Sequence, residues 1–336
     1  GYPLDVWLNQ KIFPIEAKLN KEHIYWFSQL AYMEYLSSGI TANFDMYYEP
    51  DAIIRASTDA GMRTVLCGAI NNFKESVNKV SDLISYVLGF HAEYTTSLNI
   101  INDIAKLVEK YKAPVFVHNS ETQREVNECI GRYGMTPTAL FEKCGLYQYG
   151  GGGFHCTHLR DNDIEIFIKN DLSIVINTCS NLKLASGIAP VFDYLKSGIR
   201  IALGTDGASS NNALDMFREM YITAVLQKVL TNDPVAIDAF DMLKMATVNG
   251  AEAMGLHNCT SIQAGKLADL IVIDLSMANM QPENDLISNL VYSGGKQNVY
   301  MTMINGKILY ENGEYKTIDK EKVKYYANKY LSELKC

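Results

Sequence analysis

Three histidines and one aspartate close apolar runs that have the composition of buried strands. They are His91, His118, His155 and Asp206. Because the carboxyl ends of parallel strands meet on one side of a sheet or barrel, we expect these four side chains to face one site. Imidazole nitrogens and carboxylate oxygens are ligands that suit zinc and similar divalent metals. A core or loop role is the ordinary interpretation of a single histidine, but this shared placement favours a common metal site.

Glu121 lies three residues after His118, where its side chain can reach back over the end of the strand. A bound metal lowers the pKa of its water to about 7, and a nearby carboxylate can then carry protons. His158 lies three residues after His155 and should point away from it, because residues three apart on a strand face opposite sides. We interpret His158, His23 and His257 as structural or surface residues.

The elements that must position these side chains alternate between strand and helix. Buried strands are predicted at residues 40–46, 63–69, 87–91, 114–118, 152–155, 172–177 and 200–206. Helices are predicted at 21–38, 51–60, 74–86, 98–111, 121–141, 161–170, 191–196, 214–230 and 238–254. The pattern 121–141 should break at Gly134 and restart at Thr136 and Pro137. Such alternation predicts a parallel sheet.

The predicted fold class is α/β, a TIM-like (β/α)8 barrel with a small β appendage. A closed barrel needs eight strands, and only seven are predicted, so the barrel is expected to be N-terminally incomplete, with its first strand upstream of Gly1. An open doubly wound sheet is the alternative. No GxGxxG or P-loop pattern follows any predicted strand, and the glycines at 150–153 lack a following Lys-Ser/Thr pair.

Past residue 256 the pattern changes from α/β alternation to short strands. Residues 264–275 predict a turn and a strand, and 299–310 predict a hairpin with the two-residue turn Asn305-Gly306. An amphipathic helix at 319–334 ends the chain. We therefore expect a hydrolase barrel at 1–256, a remnant of a small β-sandwich at 257–316 and a C-terminal helix at 317–336.

Bulk composition limits the partners. The net charge of -8 argues against a nucleic-acid backbone as partner, and no apolar run has the roughly 18–20 residues of a membrane span. The 7 cysteines form no CxxC pair, which favours a reducing, cytoplasmic setting. We expect a small-molecule substrate and neither nucleic acid nor membrane as partner, and a homo-oligomer is compatible with the sequence.

Four runs resemble the amidohydrolase superfamily: HNSET at 118–122, HCTHL at 155–159, SNLKLASGIAP at 180–190 and GTDGASSNN at 204–212. Within it they look most like 5-methylthioadenosine/S-adenosylhomocysteine deaminases and the related chlorohydrolases and guanine deaminases. The resemblance extends over nearly the whole chain, including FPIE at 13–16 and GKLADL at 265–270.

The resemblance implies a role for each candidate residue. His118 and Asp206 would bind one divalent metal, zinc first and iron as the alternative. Asp206 would also accept a proton, and Glu121 would be the general acid/base. His155 would orient the attacking water or the tetrahedral intermediate and contact the substrate.

Two further residues are implied to contact the substrate. His91 would touch its ring, and Glu16 would bind the ribose hydroxyls.

Three departures from the family pattern bear on these roles. The family's His-x-His metal pair does not occur in this chain, so two metal ligands remain and the metal is expected to be weakly held or absent. The arginine that adenosyl deaminases carry after their third strand is missing, because residues 67–69 read Cys-Gly-Ala. Ile176 stands where relatives often have histidine.

The sequence thus predicts a metal-dependent hydrolytic deaminase of an aminated purine nucleoside or similar heterocycle, of the adenosine or methylthioadenosine type. One alternative is an amidohydrolase or chlorohydrolase that cleaves another C–N or C–Cl bond. The other is a catalytically incomplete scaffold, because the His-x-His pair is absent.

Overall fold

The computed structural model describes residues 4–68 and 81–334. Seven strands form one parallel sheet in sequential order. They are β1 (Ala42–Asp45), β2 (Arg63–Gly68), β3 (Ile84–Ala92), β4 (Val115–Asn119), β5 (Gly151–His155), β6 (Ser173–Ile176) and β7 (Arg200–Leu203). Each strand pairs in parallel with the next, so β1 and β7 are the two edges of the sheet.

Helices connect these strands and flank the sheet. Over the described ranges they are α1 (Leu4–Trp7), α2 (Phe13–Glu16), α3 (Lys21–Ser37), α4 (Pro50–Ala60), α5 (Leu98–Tyr111), α6 (Gln123–Tyr133), α7 (Pro137–Lys143), α8 (Asp161–Lys169), α9 (Thr178–Lys183), α10 (Val191–Lys196), α11 (Ala208–Asn211), α12 (Met216–Thr231), α13 (Ala239–Ala246), α14 (Val248–Ala253), α15 (Leu286–Tyr292) and α16 (Lys320–Leu334). A π-helical turn at Leu8–Ile12 joins α1 to α2.

The parallel sheet is curled. The ring of Phe44 on β1 lies 4.9 Å from that of Phe116 on β4 and 5.3 Å from that of Phe154 on β5. Neighbouring strands lie about 4.8 Å apart, so in a flat sheet these rings would be well out of contact. Contact across three and four strands requires the inner face to wrap around a shared core, as in a barrel.

The glycine run before His155 is explained by strand packing. A Cβ at Gly152 would lie 2.0 Å from the Ser173 carbonyl oxygen of the neighbouring strand β6. Gly151 has φ 118° and equally little room, 2.0 Å from the Val115 carbonyl oxygen of β4. Close approach of β5 to both neighbours therefore selects glycine here.

A second, antiparallel sheet has the strand order β11-β10-β9-β8. Its strands are β8 (Leu270–Ile273), β9 (Val299–Ile304), β10 (Lys307–Glu311) and β11 (Glu314–Tyr315). The predicted hairpin joins β9 and β10, with Asn305 and Gly306 both at positive φ as that turn requires. Trp26 and Leu36 of α3 pack with Ile304, Leu309 and Val323, so α3 joins this sheet and α16 in one apolar cluster.

Several predicted elements need correction. The helix predicted at 74–86 is wrong at its end, because residues 84–86 belong to β3; its part up to residue 80 lies outside the described residues. Residues 238–254 form two helices, since Thr247 (φ -128°, ψ -90°) leaves the helical region. The helix α15 was not predicted, although Asp285 caps it by accepting from the amides of Ile287 and Ser288.

None of the helices in the described ranges combines the length and apolar character needed to cross a bilayer.

Candidate active site

The three strand-end histidines lie side by side in one cavity of about 1870 Å³. The rings of His91 and His118 have centroids 4.8 Å apart, and those of His118 and His155 are stacked at 5.3 Å. Glu121 and Asp206 line the same cavity. The structure thus brings together the residues that the strand-end rule selected.

Their positions relative to the strand ends differ slightly from the prediction. His155 is the last residue of β5, whereas His91 and His118 are next to last in β3 and β4. Strand β7 ends at Leu203, so Asp206 lies three residues beyond it, in a turn that precedes α11.

Non-glycine residues in the left-handed region mark these turns. Ser120, His155, Cys156 and Asp206 have φ angles of 52°, 68°, 49° and 58°. A side chain makes this conformation costly, and such residues gather where the surrounding structure imposes them at functional sites.

His118 is fixed in the neutral form that a metal ligand requires. Its Nδ1 lies 2.8 Å from the main-chain oxygen of His91. A carbonyl oxygen only accepts, so in the neutral ring Nδ1 carries the proton and Nε2 keeps its lone pair. Burial, and then the neighbouring His91 and His155, lower the pKa of His118 to about 3.

His155 is almost fully buried, at 1% exposure, and is held by amides and a carboxylate. Its Nδ1 donates to Asn181 Oδ1 at 2.6 Å, and its Nε2 lies 3.8 Å from Glu121 Oε2 and 3.5 Å from Asn177 Nδ2. Burial alone would lower the pKa of His155, but Glu121 and Asp206 outweigh it and raise that pKa. The two carboxylates therefore favour a proton on the His155 ring more than burial disfavours it.

Glu121 is a buried carboxyl group, 4% exposed, with one oxygen held in place. Ser186 Oγ donates to its Oε1 at 3.0 Å, which leaves Oε2 facing His155. Burial raises the pKa of Glu121 despite the nearby imidazole. A carboxyl group that binds its proton more tightly than usual suits transfer near neutral pH.

Asp206 is kept ionised by its surroundings. Burial would raise its pKa, but His155 and the hydroxyl of Ser180 lower it below the usual value. Ser180 Oγ and Ser210 Oγ donate to Oδ2 at 2.6 and 2.7 Å, and the amide of Gly207 donates to Oδ1 at 2.7 Å. The pKa values of Asp206 and Glu121 are thus pushed in opposite directions, an arrangement typical of acid/base pairs.

Two side chains of this cavity carry atoms that can bind a divalent metal. His118 Nε2 and the Asp206 carboxylate are suitable zinc ligands. Among residues 4–68 and 81–334 no group of three or more His, Cys, Asp or Glu side chains is placed to hold a metal ion.

Glu16 reaches the same cavity from α2, although it lies far from the strand ends in sequence. Tyr47 Oη, just after β1, donates to Glu16 Oε1 at 2.8 Å. The other carboxylate oxygen stays available for a ligand hydroxyl.

The histidines interpreted as structural do not line the cavity. His158 Nε2 bonds the main-chain oxygen of Ser186 at 2.6 Å, and exposed His257 bonds Glu252. His23 caps the start of α3, where its Nδ1 accepts from the amide of Asn20.

Sequence reasoning missed the polar residues that orient the candidate groups: Asn177, Asn181, Ser186, Ser180 and Ser210. Most fall within the SNLKLASG and GTDGASSNN runs. The density of Ser and Asn after two predicted strands was the available signal, but it does not say which side chain each would bond.

The charge of the cavity wall is one-sided. Among the lining residues in the described ranges there is no lysine or arginine. The lining carboxylates are Glu16, Asp45, Glu49, Glu121, Asp206 and Asp269, and of these Asp269 is paired with the buried Arg63 behind the wall.

Comparisons with known proteins identify the family and the fold. The amidohydrolase family matches residues 2–309. The 5-methylthioadenosine/S-adenosylhomocysteine deaminase of Caldicellulosiruptor saccharolyticus is 40% identical over 330 residues, covering 95% of this chain and 77% of that protein. The 5'-deoxyadenosine deaminase of Methanobrevibacter smithii is 37% identical over 351 residues, covering 99% of this chain and 81% of that protein.

A solved structure with the same fold is that of an adenosine deaminase from Xanthomonas campestris with bound zinc. It superposes with a TM-score of 0.93 at 30% identity, covering 100% of this chain and 81% of that one.

Proposed function

This chain belongs to the amidohydrolase family and is a hydrolase acting on carbon–nitrogen bonds, and we propose that it deaminates adenosine-type nucleosides hydrolytically. The observation that carries the proposal is the pairing of Glu121, a buried carboxyl with a raised pKa, with His155 at 3.8 Å in the histidine-lined cavity. Several relatives are named as deaminases of adenosine or its derivatives, and these names support adenosine-type nucleosides as the substrate class.

We propose His118 and Asp206 as ligands of one zinc ion, with iron as the alternative. A divalent metal supplies an activated water at neutral pH when bound in such a site. The zinc named in the Xanthomonas campestris adenosine deaminase structure supports this assignment.

The chain's own residues would handle protons and orientation. Water adds to the ring carbon that bears the amine, the C–N bond breaks, and ammonia leaves. Glu121 Oε2 would deliver the proton that this exchange requires, and Asp206 would accept one. His155, fixed by Asn181, would hold the oxygen that develops charge during addition. His91 would contact the base and Glu16 the ribose hydroxyls.

We further propose that the parallel sheet is the main part of a TIM-like (β/α)8 barrel extending over residues 1–256. A further strand would lie between the edges β1 and β7. Residues 257–316 would form the small β unit, and 317–336 the closing helix. The curled seven-stranded sheet and the adenosine deaminase fold match support this division.

Ammonia release tests the reaction. We expect the zinc-loaded protein to release ammonia from adenosine, methylthioadenosine or 5'-deoxyadenosine, and not from guanine or cytosine. Mass spectrometry of the products separates deamination from cleavage of another C–N or C–Cl bond. Zinc-bound protein that releases no ammonia from any of these compounds would contradict the proposal.

The cavity charge predicts a preference for substrates without a carboxylate. S-adenosylhomocysteine would meet the carboxylates of the wall without a lysine or arginine partner among the described lining residues. A charge-assisted hydrogen bond contributes roughly 1.5–3 kcal/mol. We therefore expect kcat/KM for methylthioadenosine to exceed that for S-adenosylhomocysteine by about 10-fold or more.

The methyl ester of S-adenosylhomocysteine separates charge from size in this comparison. If the carboxylate causes the discrimination, the ester should recover much of the lost kcat/KM. Equal or higher kcat/KM for S-adenosylhomocysteine than for methylthioadenosine would show that the substrate carboxylate finds a partner.

A further inference from the structure

A second buried carboxylate lies behind Glu121, outside the cavity lining. Glu125 is 4% exposed and belongs to the first turn of α6. Its Oε1 accepts from the amide of Ser120 at 3.0 Å, and its Oε2 accepts from the amide of Glu121 at 2.7 Å. Both carboxylate oxygens are therefore engaged with the main chain that carries Glu121.

This contact extends beyond ordinary helix capping. Thr122 is the N-cap of α6, and its hydroxyl accepts from the amide of Glu125. In a capping box a glutamate at this third helical position bonds the amide of the N-cap itself. Here the Glu125 carboxylate reaches past Thr122 to the two residues before it.

The held segment has a conformation that needs support. Ser120 has φ 52°, in the left-handed region that a residue with a side chain rarely adopts. Two hydrogen bonds from this turn to one buried carboxyl group favour that conformation over the alternatives open to a free loop. The turn also sets the direction in which the Glu121 side chain leaves the main chain.

We propose that Glu125 is a positioning residue: it fixes the main chain of Glu121 so that the Glu121 carboxyl stays beside His155. This inference rests on the proposed role of Glu121 as the acid/base. Ser186 holds the Glu121 side chain from the opposite direction, at 3.0 Å, so side chain and main chain are anchored separately.

Glu125→Gln tests the proposal with little change of volume. The glutamine side chain keeps one oxygen that can accept from a main-chain amide. Its NH2 group faces the other main-chain N–H and cannot accept from it, so one of the two hydrogen bonds is lost. Small displacements of a catalytic group lower rates by up to roughly 100-fold. We expect kcat to fall about 10- to 100-fold, with KM for methylthioadenosine nearly unchanged.

Asp163→Asn is the matched control. Asp163 occupies the same third position in α8, is fully buried, and accepts from the amide of Arg160 at 2.9 Å and from Thr136 Oγ1. It does not line the cavity. This variant should lower the melting temperature and keep kcat. An equal loss of kcat in both variants would reduce Glu125 to a general stabilising role and overturn the proposal.

A double variant shows whether Glu125 acts through Glu121. Adding Glu125→Gln to Glu121→Gln should lower the residual rate little further, because the group to be positioned is already gone. A full additional loss in that background would contradict the proposal, as would unchanged kcat in Glu125→Gln alone.

Amide hydrogen exchange tests the same contact in the unaltered protein, so the result does not depend on whether a variant folds. The amides of Ser120 and Glu121 should exchange slowly, since both donate to a buried carboxylate; fast exchange would overturn the inference. Ammonia release by the unaltered protein is measured in parallel. Its absence would count against the proposed function, and the exchange rates would still decide the role of Glu125.

Discussion

Replacing Glu121 by glutamine is expected to lower kcat by roughly 100-fold or more while zinc binding is retained. Glutamine matches the shape of glutamate and can still accept from Ser186, which bonds Glu121 Oε1 at 3.0 Å. It cannot carry the proton that the raised pKa of the Glu121 carboxyl keeps available. Steady-state ammonia release gives kcat, and metal analysis of the purified variant gives its zinc content.

Glu128→Gln is a suitable control for this variant. Glu128 undergoes the same chemical change on α6 but lies on the surface, where it pairs with Arg124 and Arg132. It should keep normal activity. Near-normal kcat in Glu121→Gln would remove Glu121 from the mechanism, and loss of zinc would instead indicate that its carboxylate binds the metal.

Replacing Asp269 by alanine is expected to lower the free energy of unfolding by about 3–5 kcal/mol. Asp269 and Arg63 form a bidentate ion pair, in which Arg63 Nε and Nη2 donate to the two carboxylate oxygens. The Asp269 side chain is 2% exposed and the Arg63 side chain 3% exposed. Asp269 also accepts from the amide of Asn305 at 2.7 Å. It thus ties the start of β2 to the turn of the small sheet, and its removal leaves a buried guanidinium without its carboxylate.

Urea denaturation measures this effect, with Asp171→Asn as the control. Asp171 pairs with Arg200 at 3.3 Å, but its side chain is 84% exposed, so loss of its charge should matter by less than about 1 kcal/mol, and asparagine tolerates the φ of 48° at this position. Joint replacement of Arg63 by methionine and Asp269 by leucine should recover much of the stability. An unchanged unfolding midpoint in Asp269→Ala would show that the pair contributes nothing.

Local sequence patterns predicted an element correctly where capping or helix-breaking residues mark its ends. The helix predicted at 98–111 matches α5, because Ser97 caps it and its apolar positions repeat at helical spacing. The break at Gly134 and the restart at Thr136-Pro137 were also confirmed, since both residue types act through local backbone geometry. Strand β3 was misjudged at its start because a short, buried apolar run fits either helix or strand.

The candidate site was predictable in location and less so in detail. The strand-end rule brought His91, His118 and His155 together because parallel strands end on one side of the sheet. The partners that orient them depend on tertiary contacts. Ser186 is 65 residues from Glu121 in sequence, and Asn181 is 26 residues from His155. No local pattern encodes which of several Ser and Asn side chains meets each candidate group.

The left-handed turns at the strand ends limit how this protein can gain stability during evolution. Each non-glycine residue there costs of the order of 1–3 kcal/mol, and glycine would relieve much of it. At His155 and Asp206 that exchange would delete a side chain of the candidate site. Selection for thermostability and selection for turnover therefore oppose each other at these positions, so a more heat-resistant descendant would have to gain its stability elsewhere in the chain.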